Sequence, residues 1–126
     1  MEQKFFVCKQ CGNIIGIVYA SGVPMECCGE EMTELVPGTS DGAAEKHVPV
    51  ISVDGTTVTV TVGSAAHPMI EAHHIEWISL HTKEGNQRKS LSPTGEPKVT
   101  FAITADDEVQ CAYAYCNLHK LWKAEI

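Results

Sequence analysis

The stretch HVPVISVDGTTVTVTVG, residues 47–63, constrains the fold more than any other part of the chain. Val58, Val60 and Val62 alternate with Thr57, Thr59 and Thr61, the period-two pattern of a strand with one apolar and one polar face. Asp54-Gly55 just before it is a strong hairpin turn signal, so the runs 47–53 and 56–63 are expected to pair antiparallel. Further strand-like runs are HIEWISLHT (74–82), KVTFAIT (98–104) and VQCAYAYC (109–116), the last taken as the final strand. The polar, turn-rich stretch KEGNQRKSLSPTGEPK (83–98) reads as a connector. Short strands without helical periodicity between them predict an all-β sandwich over residues 47–126.

Residues 1–36 have a different character, being short of core-forming bulk and rich in cysteine. Cys8 and Cys11 form CKQCG, Cys27 and Cys28 form ECCGEEM, and 15 residues separate the pairs. A segment this small cannot hold itself together by apolar burial alone, so a structural metal is expected to supply its folding energy. Four thiolates suit a tetrahedral site, and zinc and iron both fit it. Gly12 and Gly29 each follow the last cysteine of a pair, where a tight turn favours a residue without Cβ. The adjacent side chains of Cys27 and Cys28 must splay to reach one metal. The stretch VPGTSDGAAEK (36–46) then reads as a linker, assigned to residues 37–46.

Charge narrows the partners. The net charge is −7 with nine Lys and Arg and no basic cluster, which argues against nucleic acid and anionic membrane surfaces. No run of about 18 apolar residues exists to span a membrane. The N-terminal MEQKFFVCKQCG has no basic region leading into an apolar core, so a cytoplasmic location is expected. In that setting six cysteines read as metal ligands before they read as disulfides.

A second group of candidate ligands lies in the β region: His47, His67, His73 or His74, His119 and Cys116. Adjacent residues entering a strand point to opposite faces, so only one of His73 and His74 is a candidate and the other is expected to face solvent. Pro68 stiffens the loop carrying His67, and Cys116 and His119 stand in a C-x2-H arrangement. His81 is expected to be a surface residue. Cys111, five positions before Cys116, is placed on the opposite strand face as a small core residue. Trp77 and Trp122 read as packing. Four imidazoles and one thiolate overfill a tetrahedral zinc site but leave an octahedral metal one open position, which a catalytic centre needs. Iron tolerates imidazole and thiolate together.

CKQCG…ECCGEEM, EKHVP, AHPM, HHIEWI and CNLHKLW, taken together and in this order, strongly resemble desulfoferrodoxin, the two-iron form of superoxide reductase. The resemblance covers essentially the whole chain. It implies a rubredoxin/desulforedoxin-like metal module followed by an immunoglobulin-like β-sandwich. It implies that Cys8, Cys11, Cys27 and Cys28 hold the first iron. His47, His67, His73 and His119 would be equatorial ligands of the second, with Cys116 axial, and the motif selects His73 over His74. It further implies reduction of superoxide to hydrogen peroxide, a rubredoxin-like electron donor and a homodimer. Lys46 matches the family's catalytic lysine, and Glu45 the glutamate that closes the sixth position in the ferric state. The family usually has Gly after the last histidine, where this chain has Lys120. Three other readings make distinct demands. A zinc-dependent binding module requires colourless protein, a pure electron carrier has colour without superoxide chemistry, and a dismutase evolves dioxygen.

Overall fold

The computed structural model describes residues 3–126, and the chain divides into two compact units, one ending at Val36 and the other running from Pro37 to Ile126. The first unit is built from β1 (Lys4–Val7), β2 (Ile14–Ile17), β3 (Glu26–Cys27), β4 (Glu30–Glu31) and β5 (Thr33–Glu34). β1 lies between β2 and β5 in an antiparallel sheet, while β3 and β4 form a separate two-residue ladder. Its buried apolar side chains among the described residues are Phe5, Cys8 and Met32. That is too little burial to specify such a fold, and the cysteines therefore have to organise it.

The second unit contains one short helical turn, α1 (Ala44–His47), and seven strands. These are β6 (Pro49–Asp54), β7 (Thr57–Val62), β8 (Ile75–Thr82), β9 (Gly85–Ser90), β10 (Lys98–Ala102), β11 (Val109–Cys116) and β12 (Lys120–Glu125). They form two antiparallel sheets, ordered β10-β7-β6 and β12-β11-β8-β9. Three strands facing four is the arrangement of an immunoglobulin-like sandwich. Val58, Val60, Val62 and Phe101 of the first sheet share one fully buried core with Ile75, Ile78, Leu80, Ala112, Ala114 and Cys116 of the second. The hairpin of β6 and β7 turns at Gly55, with Asp54 opposite Thr57 and the valines inward, as the alternation requires.

The structure departs from the sequence reading in several places. Residues 37–46, expected as a linker, belong to the second unit: the Gly38 N–H donates to Leu121 O at 2.9 Å, and the Ser40 hydroxyl donates to His119 O. The run expected to begin a strand at His47 begins it at Pro49 instead, because 44–47 form α1. β9 runs through the expected connector; it is a polar edge strand whose residues are mostly exposed, so no apolar face announces it. β11 is not the last strand, since β12 pairs with it from Cys116↔Lys120 to Cys111↔Glu125.

His81, expected at the surface, is buried with Ser79 and Thr82. Both faces of β8 and β11 are covered, the outer one by large rings such as Trp77 stacked on Tyr115, with centroids 5.4 Å apart and 6° between planes. His81 Nδ1 meets Asn86 Oδ1 there. Cys111 lies on this outer face, opposite His81, and Cys116 in the inner core.

Candidate metal centres

In the first unit the sulfurs of Cys8, Cys11, Cys27 and Cys28 lie within 4.8 Å of one another. Cys11 and Cys27 sulfurs are 3.6 Å apart, and Cys27 and Cys28 sulfurs 3.9 Å apart. Metal–sulfur bonds of about 2.3 Å arranged tetrahedrally put sulfurs about 3.8 Å apart, so the spacing fits a four-thiolate site. Adjacent cysteines reach it because Cys28 takes a left-handed backbone with φ 55°, and Gly12 and Gly29 take φ 84° and 76°. The thiols do not ionise alike. The N–H of Cys11 leads the influences that hold Cys8 down to about 6, while the sulfurs of Cys11, Cys27 and Cys8 push Cys28 up to about 12. So many crowded thiols ionise together only around a cation.

In the second unit four imidazoles form a ring. Neighbouring centroids are 4.6 Å apart for His47–His67, 4.6 Å for His67–His73, 5.1 Å for His73–His119 and 4.8 Å for His47–His119. The diagonal from His47 to His73 is 6.3 Å. A tetrahedral set would make all pairs alike; four short sides and a long diagonal describe a square. Successive planes stand 74–90° apart, like blades around a hub.

The hub atoms are nitrogens with lone pairs. His47 Nδ1 donates to Ala43 O and His67 Nδ1 to Pro68 O, each at 2.7 Å, which leaves both Nε2 atoms unprotonated in the neutral rings. Those two Nε2 atoms nevertheless face each other at 3.1 Å, where neither has a proton to share. His119 Nδ1 is also 3.1 Å from His47 Nε2. Bonds of about 2.1 Å at right angles put nitrogens about 3.0 Å apart, against about 3.4 Å for a tetrahedron. His73 Nε2 is buried with no hydrogen-bond partner. The ligand nitrogens of His47, His67 and His73 gather with the Cys116 sulfur within 4.8 Å of one another, while His119 stands outside that group and approaches it through Nδ1 from the side of His47 and Cys116. Unprotonated nitrogens gathered in this way fit a cation.

Cys116 adds a sulfur whose position lies within 4.8 Å of the ligand atoms of His47, His67 and His73, and 4.0 Å from His119 Nδ1. It is fully buried in the sandwich core, as His47 and His67 are nearly so, whereas His73 and His119 are partly exposed. Burial pushes the Cys116 thiol up, and hydrogen bonds from the backbone of His119 and Leu118 pull against it. Burial likewise lowers His47 and His73, and brings His67 down to about 4. All three therefore stay neutral and available as ligands at pH 7.

Residues 39–125 match the family profile described as Desulfoferrodoxin. A desulfoferrodoxin of Nitratidesulfovibrio vulgaris is 48% identical over 124 residues, 98% of this chain and 97% of that one. The chain belongs to the desulfoferrodoxin family. A superoxide reductase of Pyrococcus horikoshii is 35% identical over 70% of this chain and 91% of its own. The crystal structure of the superoxide reductase from Treponema pallidum superposes with a TM-score of 0.84 at 43% identity, covering 99% of this chain and 100% of that one.

Other residues around the desulfoferrodoxin-type centres fall into place by contact. Glu45 and Lys46 are exposed on α1 next to His47. The Lys46 charge adds to the burial that lowers His47 and His73, so it is felt across the ring. His74 turns away: its Nδ1 is 3.0 Å from Ile70 O and its Nε2 3.8 Å from Glu76, with the side chain 12% exposed. It is thus largely covered and not solvent-facing. Asn117 braces the chain around His73, accepting the His74 N–H at 2.9 Å and donating to Ala72 O at 3.0 Å. Trp122 lies 5.0 Å from the His47 ring and donates Nε1–H to His119 O at 2.9 Å. Lys120, where the family usually has glycine, takes the left-handed φ of 65°. The sequence reading gave no role to Ser40, Gly42 or Ala43; nothing in a Gly- and Ser-rich stretch marks it as packed against a ligand ring.

Proposed function

We propose that the chain is a superoxide reductase that converts superoxide to hydrogen peroxide at the imidazole–thiolate centre, O2•− + e− + 2 H+ → H2O2. The observation that supports it most is the square of four imidazoles with a buried thiol beside them. The residues that would hold the metal are His47, His67, His73, His119 and Cys116, and ferrous iron bound there supplies the electron. Iron is the choice for this centre because it accepts imidazole and thiolate together and cycles between two oxidation states. Cys8, Cys11, Cys27 and Cys28 hold the other metal, iron in the full redox protein and zinc in a purely structural variant.

The chain's own groups then have definable tasks. Superoxide is an anion and the protein carries −7, so attraction has to be local. Lys46 supplies it, and its ammonium or a water it orients delivers a proton to the reduced substrate. Cys116, held by backbone N–H groups, donates electron density from the buried side. Glu45, exposed on α1 two residues before His47, would be the carboxylate available to a metal held by the ring. A rubredoxin-like protein returns the electron, and the working form is a cytoplasmic homodimer.

Iron and zinc per chain in protein purified without added metal test this reading. Iron at both centres, or iron in the ring with zinc at the four cysteines, is the expected result. Zinc alone, or metal only at the four cysteines, would refute it.

A further inference from the structure

Gly42 lies in the stretch that sequence alone reads as a linker. A Cβ placed there would sit 2.9 Å from His119 Cβ, 2.9 Å from His47 Cε1 and 3.0 Å from His119 Cγ. Carbon atoms in contact prefer about 3.5–4.0 Å. The Gly42 backbone is outside the left-handed region, so conformation does not demand glycine here; space does. Two ring members leave room for a hydrogen atom and nothing larger.

Neither imidazole is free to retreat. His47 is held through Nδ1 by Ala43 O at 2.7 Å, and its ring lies 5.0 Å from that of Trp122. The His119 carbonyl is held from two sides, by the Ser40 hydroxyl and by Trp122 Nε1–H. The segment is fastened again further on, where Glu45 O accepts the Ala65 N–H at 2.9 Å and the Ser64 hydroxyl at 3.3 Å. That second seat is also tight: a Cβ on Gly63 would sit 2.7 Å from Glu45 O.

We propose that residues 40–46 form a clamp on the imidazole ring, with Gly42 and Ser40 as positioning residues that set His119 and His47. The proposal rests on the reading of the ring as a metal centre. Because the same segment carries Glu45 and Lys46, the geometry of His47 and His119 and the placement of those two exposed groups beside His47 are fixed by one piece of chain. The clamp also carries Ala43 O, the acceptor for His47 Nδ1. Losing an outer hydrogen bond of that kind typically changes metal affinity by about 10- to 100-fold, the scale expected if a displaced Gly42 segment pulls it away.

The test uses the full chain loaded with iron at both centres, comparing wild type with Gly42→Ala, Ser40→Ala and Ser40→Thr. Iron release to a chelator and the energy of the thiolate-to-ferric absorption are followed for the ring, with the four-cysteine absorption as an internal control. Gly42→Ala is expected to release ring iron about 10- to 100-fold faster with a shifted absorption. Ser40→Ala should move both in the same direction by less, and Ser40→Thr, which keeps the hydroxyl, should restore them. Release and absorption indistinguishable from wild type in Gly42→Ala would overturn the proposal. Should Gly42→Ala lose the far-ultraviolet signature of the sandwich, the serine pair decides: wild-type behaviour in Ser40→Ala would overturn it. A wild-type chain with no ring iron to release would overturn the clamp and the functional reading together, a result visible before any variant is compared.

Discussion

Lys120→Gly should make the sandwich more stable. Lys120 holds φ 65° where the chain turns from β11 into β12. An L-residue there carries a penalty of about 1–2 kcal/mol from the close approach of Cβ to the following carbonyl. Glycine removes it but loses about 0.5–1 kcal/mol more backbone entropy on folding, so the net gain is about 0.5–1 kcal/mol. Both tryptophans, Trp77 and Trp122, lie in the second unit, so their fluorescence reports on the sandwich alone. In metal-free protein, with a urea dependence of about 1–2 kcal/mol per molar, the midpoint should rise by about 0.5 M. The Lys120 charge also helps, to a small degree, to offset the burial that raises the Cys116 thiol, so the variant gains stability while its thiol becomes slightly harder to ionise. An unchanged or lower midpoint would refute the strain argument and mean that contacts of the lysine side chain outweigh its backbone.

Lys46→Ala should slow superoxide capture and weaken its dependence on ionic strength while iron content stays unchanged; an unchanged second-order rate removes Lys46 from the mechanism. Cys28→Ser should lose metal from the first unit alone, with iron analysis and tryptophan fluorescence showing the ring centre and sandwich intact. Acid should destabilise the metal-free sandwich. His67 titrates at about 4 when folded because it is buried, and near 6.5 when unfolded, so below pH 6.5 the unfolded chain takes up a proton that the folded one refuses. Stability is complete above that range and is lost as pH falls toward 4, by roughly 2 kcal/mol between pH 7 and pH 5 from this residue. His47 and His73 are lowered in the same direction and add to the loss. A urea midpoint that holds or rises on acidification would contradict the buried, neutral ring.

Where one face of an element is apolar and the other polar, the sequence was enough to place it. The valine–threonine alternation of β7 and the Asp-Gly turn before it determine the hairpin, and all three valines are fully buried. β9 was hidden because an edge strand reading GNQRKS buries almost nothing, and β12 because KLWKAE mixes charges with only a few apolar residues. The short strands of the first unit are two to four residues long and bury little beyond Phe5, so no apolar period marks them in the sequence. Among the histidines, strand alternation alone could not choose between His73 and His74; the family motif chose, and the orphaned Nε2 of His73 agrees with that choice. His81 could not be read because its neighbours are Asn86 of β9, a strand the sequence does not announce, and Cys111 of β11, distant in sequence. The clamp was hidden for a similar reason: Gly42 is significant only through His119, which lies far along the chain.

Exposing the anaerobically reduced, iron-loaded protein to a known amount of superoxide, with hydrogen peroxide and dioxygen measured together, tests the central claim most directly. The account predicts one peroxide for each superoxide consumed, oxidation of the ring centre and no dioxygen. Dioxygen released with half as much peroxide would identify a dismutase, and superoxide decaying no faster than in buffer would leave the ring without the chemistry assigned to it.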